Sequence, residues 1–227
     1  MVPNVLWILV EDSEVKTELV TKFLNQIQTY GQLKYTHLNV PTPIEYKTKT
    51  NDPNWIKPRG VLQRNIALRW LREHQAELDK EGIVYFADDD NTYDLRLFNE
   101  MRNTTKVSVW PVGLVGGLLV EKPIVEDGIV TGWNSLWKPN RKFPIDMAGF
   151  AIKLRFLLEN KDALFSLKVP RGFQETHLLK QIINDISDLE PKANDCNDIL
   201  VWHTRTEEPK LRQEKKLKIP SNFNMEL

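Results

Sequence analysis

Over the first half of the chain, short apolar runs alternate with stretches of helical periodicity. Residues 5–10 form an almost continuous apolar run closed by Glu11 and Asp12, the pattern of a buried strand. Then Leu19, Val20, Phe23, Leu24 and Ile27 recur at helical spacing. Residues 35–40 predict a second strand, 41–58 a polar loop with several prolines, and 60–78 the longest helix. Its buried side would carry Val61, Ala67, Leu68, Trp70, Leu71 and Leu78. Strands at 83–87 and 107–112 complete this half. The alternation predicts an α/β fold with a mainly parallel sheet and helices on both faces.

Beyond residue 112 the pattern changes. Residues 113–133 are glycine-rich and β-like, with a hairpin turn at Glu126-Asp127-Gly128. Residues 154–158 and 176–183 read as helical, and 199–202 as a last strand. We expect two tightly joined subdomains, 1–112 and 113–227.

Charge narrows the partners. Lys plus Arg equals Asp plus Glu, at 31 each, which gives no reason to expect nucleic acid or an anionic membrane. Residues 210–218 are locally basic, as a solvated helical face can be. No apolar run reaches the length that spans a bilayer, and the first residues do not read as a signal peptide. The single cysteine, Cys196, excludes an intrachain disulfide and a cysteine-based zinc site.

Three aspartates, Asp88, Asp89 and Asp90, follow the apolar run 83–87 directly. Ligands of open α/β sheets sit beyond the carboxyl ends of strands. Three adjacent carboxylates there repel one another unless a cation such as Mg²⁺ or Mn²⁺ neutralises them and bridges to a diphosphate. Aspartates also serve as turn and cap residues. The strand before them and Asn91-Thr92-Tyr93 after them favour the metal reading.

Glu175, in Pro170-Arg171-Gly172-Phe173-Gln174-Glu175, falls near a helix N-terminus. Charge complementarity there explains it by itself; the functional alternative makes Glu175 a general base beside an Arg171 anion clamp. His203 and Arg205, two apart on extended backbone, project to one side and can donate to phosphate, or can be a solvated strand-end pair.

Together these segments resemble the animal β-1,3-glucuronosyltransferases, an inverting group. The matching strings are Leu9-Val10-Glu11-Asp12, residues 58–65, residues 84–93, Ser108-Val109-Trp110-Pro111-Val112-Gly113, residues 143–151 and residues 201–207. The resemblance implies a GT-A type, Rossmann-like nucleotide-sugar fold with a mixed acceptor-binding half. Residues 1–112 would bind the UDP-sugar and 113–227 the acceptor. It implies Mn²⁺ held mainly by Asp90, with Asp88 and Asp89 facing nucleotide and sugar. Asp12 would read the uracil edge. Arg59 and Arg64 would be donor-side cations, and His203 and Arg205 diphosphate ligands. Arg171 and Asp146 would lie around the transferred sugar and the acceptor. Glu175 matches the base, Glu121, Arg141 and Trp137 the acceptor-galactose site, with Asn91 beside it.

The implied reaction carries glucuronic acid from UDP-glucuronic acid to a galactose-terminated glycan on a proteoglycan core protein. The implied enzyme is a homodimer, a single-pass type II protein of the Golgi membrane. Trp137 and Gln213 resemble the branch that completes the proteoglycan linkage region, with Gln213 reaching the partner subunit's acceptor. Gly172-Phe173-Gln174-Glu175 resembles the neural branch, which acts on N-acetyllactosamine termini. Members of the group begin with an earlier strand ending in proline-threonine-tyrosine, preceded by an anchor and stem. Their absence here leads us to expect weaker UDP binding. A nucleotidyltransferase and a non-catalytic UDP-binding protein are the other readings of this acidic α/β pattern.

Overall fold

The computed structural model describes residues 2–31, 33–48, 57–207 and 210–223, so part of the predicted 41–58 loop lies outside the described residues. Strand β1 (Leu6–Glu11) pairs in parallel with β2 (Lys34–Asn39), and helix α1 (Glu18–Gly31) makes the crossover. Helix α2 (Val61–Glu73) packs on both strands and buries Val61, Leu68 and Leu71. It stops five residues short of the predicted end because His74 turns out of the helix at φ −103°, ψ 16°.

Strand β3 (Ile83–Tyr85) is shorter than predicted and is followed by β4 (Thr92–Tyr93) and α3 (Arg96–Glu100). The predicted strand 107–112 is two strands, β5 (Val107–Val109) and β6 (Val112–Gly113), which belong to different sheets. The break falls at Trp110-Pro111, where proline has no N–H for a ladder. Strands β7 (Val120–Glu126) and β8 (Ile129–Asn134) form the expected hairpin. Asp127 and Gly128 both have positive φ, 50° and 76°, as a tight hairpin turn of matching twist requires. Strand β9 (Phe150–Lys153), helices α4 (Leu154–Glu159) and α5 (Gln174–Leu179), and strands β10 (Glu190–Pro191) and β11 (Val201–Trp202) follow, with a short helical turn, Ala193–Cys196, between the last two strands.

The sheets are mixed, not mainly parallel. Their orders are β1-β2, β10-β5-β9-β3 and β4-β11-β6-β7-β8. Among the described residues, only β1–β2, β5–β10 and β6–β11 pair in parallel. The decisive element is β9, which runs antiparallel between β3 and β5. Its four residues continue directly into α4, so periodicity could not separate the short strand from the helix.

β9 also explains the two cores. Phe150 and Ile152 join one cluster with Val107, Val109, Phe143, Ile145, Leu157 and Leu178, while Ala151 joins the other with Leu97, Trp110, Val112 and Val201. Alternate residues of a strand face opposite sides, so the sheet is buried on both. Each cluster draws on residues before and after 112. Among the described residues, no helix is long and apolar enough to cross a membrane.

Candidate active site

The antiparallel pairing of β4 with β11 sets Tyr93 opposite Val201 and Thr92 opposite Trp202. It brings the acidic segment after β3 against the residues after β11. Thr204 Oγ1 donates to the Asp90 carbonyl at 2.6 Å and lies 3.0 Å from Thr92 Oγ1, while His203 N donates to Gly113 O at 2.9 Å. Thr204 was not singled out in the sequence, although it sits inside the matching string. From α2, Arg64 reaches Asp88, with Nη2 2.6 Å from Oδ1. Tyr93 OH donates to Asp88 O at 2.6 Å. Burial, and then the Asp88 charge, raise that phenol well above its ordinary value.

Glu175 stands in the first turn of α5. Its Oε2 is buried and has no hydrogen-bond partner among the described residues. Burial first, and the charge of Asp146 second, push its carboxyl up to about 7, with Arg141 and Arg64 opposing. A carboxyl poised near neutrality inside a cluster of charged groups suits proton abstraction. Asp146 Oδ1 accepts from Ala148 N at 3.0 Å, and its Oδ2 lies 3.6 Å from His203 Nδ1. Asp146 raises the imidazole pKa against the opposing effect of burial. The arrangement therefore runs from Glu175 through Asp146 to His203, and Arg205 is close enough to act on the same imidazole.

On the other side lie Glu121, Trp137 and Arg141. Glu121 is buried on β7, accepts from Ser135 Oγ at 2.8 Å, and is raised in pKa chiefly by burial. Gly116, at φ +63°, leaves it room: a Cβ there would stand 2.0 Å from Glu121 Oε1. Arg141, also buried, donates to Gly172 O at 2.8 Å and to the carbonyls of Trp137 and Lys138. Burial lowers its pKa, and Glu175 then Glu121 oppose that shift. Around the Trp137 ring lie Lys138 Nζ at 4.9 Å, Arg141 Cζ at 5.0 Å and Arg171 Cζ at 5.5 Å. Both amide atoms of Asn91 are buried without a hydrogen-bond partner among the described residues, which is costly unless a ligand satisfies them.

The remaining sequence candidates sit further out. Asp12 is exposed and holds the loop after β2, accepting from Thr42 N at 2.6 Å and Thr42 Oγ1 at 2.7 Å. Gln63, missed in the sequence, ties the same loop to α2 through Val40 O and Thr42 Oγ1. Arg59 is exposed, and its carbonyl accepts from Arg64 Nη1. Asp89 and Arg205 are exposed at the cluster's edge. Gln213 is exposed in the tail at the start of the turn Glu214–Lys216; the structure does not bring it into the cluster.

No three His, Cys, Asp or Glu side chains converge as a metal cage among the described residues. Asp88 is committed to Arg64, while no hydrogen bond or ion pair among the described residues holds the Asp90 carboxylate. One such carboxylate does not make a closed site. It does fit a hard divalent cation that takes its other ligands from water and a substrate's phosphates.

A mixed α/β body that gathers carboxylates, guanidiniums and a near-neutral buried acid at its strand ends has the equipment of a group-transfer enzyme. The family model described as Glycosyltransferase family 43 matches residues 1–207, and the chain belongs to that family. Galactosylgalactosylxylosylprotein 3-beta-glucuronosyltransferases of Caenorhabditis elegans, Drosophila melanogaster and Homo sapiens are each 50% identical to it, over 94%, 96% and 96% of the chain. The chain spans 59%, 71% and 66% of the length of these relatives.

Proposed function

We propose that the protein transfers glucuronic acid from UDP-glucuronic acid to the 3-hydroxyl of a terminal galactose, with inversion. The names of its relatives support a glucuronosyl group as what is transferred and a galactosyl acceptor. The observation that carries the chemistry is Glu175, a buried carboxyl with an unpartnered oxygen and a pKa of about 7. Glu175 takes the proton of the acceptor hydroxyl as its oxygen bonds to the anomeric carbon. The bond from that carbon to the β-phosphate oxygen breaks on the opposite side, and UDP leaves with the electron pair. His203, its charge favoured by Asp146, and Arg205 stabilise the leaving diphosphate. Asp90 would hold Mn²⁺, which supplies Lewis-acid stabilisation of the same charge.

In this reading Asp12, Arg59, Arg64, Asp88, Asp89 and Arg171 attend the donor in a GT-A type nucleotide-sugar half. Asn91, Glu121, Trp137, Arg141 and Asp146 receive the acceptor. A homodimer fits the exposed apolar tail residues Leu211, Leu217, Ile219 and Phe223, which a second subunit could cover beside Gln213. The reading extends to a proteoglycan linkage-region acceptor and to a Golgi luminal setting.

The test is incubation with UDP-glucuronic acid, Mn²⁺ and a galactosyl-galactose acceptor. UDP release together with a β-linked glucuronide, read by proton coupling at its anomeric carbon, is the expected result. Pyrophosphate release, or UDP binding with no product, would refute it.

A further inference from the structure

Lys138 was not among the residues singled out by sequence, and it sits where two loops meet. One loop, after β8, carries Trp137 and Arg141; the other, residues 170–173, runs into α5 and Glu175. The contact between them is intimate. Gly172, at φ +73°, lies directly under the Trp137 ring, so that a Cβ on it would stand 1.9 Å from the indole carbons. Arg141 fixes the same segment through Gly172 O.

Lys138 closes the contact from the solvent side. Its ammonium donates to Arg171 O at 3.2 Å and lies 4.9 Å from the Trp137 ring and 5.1 Å from the Phe173 ring. One cation thus bridges two aromatic faces, one from each loop, while holding the backbone between them. Its own backbone is left-handed, φ +45°, a conformation that L residues adopt at a cost and keep where surroundings impose it. Phe173 in turn begins α5: its carbonyl accepts from His177 N at 2.7 Å, on the turn that carries Glu175.

We propose that Lys138 is a positioning residue that latches the Trp137 loop onto the segment leading to Glu175, setting the acceptor platform and the base at a fixed separation. This rests on the transfer reaction proposed above. The ammonium is held by a carbonyl and two ring faces, and Lys138 is exposed, so removing its charge opens no cavity in the core. Lys138→Met keeps the length of the stem and removes the cation, while Lys138→Arg keeps a cation that stacks on rings and donates to carbonyls.

The experiment compares steady-state kinetics and amide hydrogen exchange in the full chain and both variants. In Lys138→Met we expect the acceptor KM to rise about 3- to 30-fold, as loss of an exposed cation–π pair and one hydrogen bond predicts. The KM for UDP-glucuronic acid and the melting temperature should stay as they are, and Lys138→Arg should recover most of the acceptor affinity. Exchange in residues 170–175 should quicken in the Met variant. An unchanged acceptor KM in an active enzyme, or unchanged exchange at 170–175, overturns the latch. Failure of the unmutated chain to transfer would sink the proposed reaction, and the exchange comparison would still decide the latch.

Discussion

Asp146 Oδ2 and His203 Nδ1 face each other at 3.6 Å, joining the loop before β9 to the end of β11. The carboxylate favours the imidazolium and so raises the pKa of His203. A group raised in this way is protonated, and adds its charge to anion binding, below its folded pKa; both are lost as pH rises through it. Asp146→Asn keeps an acceptor for Ala148 N and removes the charge. UDP affinity in the variant should fall by roughly 3- to 10-fold near neutral pH, the difference between a charge-assisted and a neutral hydrogen bond. Titration calorimetry across pH 5.5–8.5 should place the loss at lower pH than in the unmutated protein. Superimposable profiles would remove Asp146 from this role.

Glu175→Gln separates catalysis from stability. A positioned base contributes roughly 10²–10⁴-fold to turnover, so turnover should drop by about that much while UDP affinity holds. Folding responds in the opposite sense. The folded pKa of about 7 lies above the ordinary carboxyl value, so the stabilising contribution is complete below about pH 4.5 and is lost as pH rises through 7. Above pH 7 the buried carboxylate costs on the order of 3 kcal/mol. Melting curves at pH 8 should therefore show the Gln variant to be the more stable protein, with the difference gone at pH 4.5. The activity of the unmutated enzyme should climb towards pH 7 as Glu175 ionises and fall again at higher pH as His203 loses its proton.

Metal dependence should follow Asp90 and not the whole acidic run. EDTA should abolish turnover and Mn²⁺ restore it. Asp90→Ala should leave the protein folded and without Mn²⁺-dependent activity. Asp88→Ala should act through Arg64, whose guanidinium it pairs with, and should lower the melting temperature as well. Normal Mn²⁺-dependent rates in Asp90→Ala would move the metal elsewhere.

Gly172→Ala should be disruptive for a single methyl group. The left-handed backbone costs an alanine about 1 kcal/mol, and the new Cβ would overlap Trp137 at 1.9 Å. The ring must move, so the acceptor KM should rise by at least about tenfold, with donor KM little altered. Trp137→Phe in the same assay should weaken any preference for galactosyl-galactose over N-acetyllactosamine.

Local pattern carried much of the chain. Apolar runs located β1, β2, β3 and β5, helical spacing located α1 and α2, and Asp127-Gly128 located the hairpin, because each rests on contacts within a few residues. The matching strings also offered Asp88 to Asp90 and His203 as candidates, and the segment 170–175 offered Glu175. Tertiary structure alone decided the rest. The antiparallel insertion of β9 made the sheet mixed and divided the core between its faces, and nothing in Phe150-Ala151-Ile152-Lys153 announces a partner strand. The near-neutral carboxyl of Glu175 arises from burial and from Asp146, 29 positions earlier in the chain. The seat of Trp137 on Gly172, and the closing of Lys138 over both loops, depend on backbone from segments far apart in sequence. Periodicity records which side of an element is apolar; which charges meet there is set only when distant segments pack and water is excluded between them.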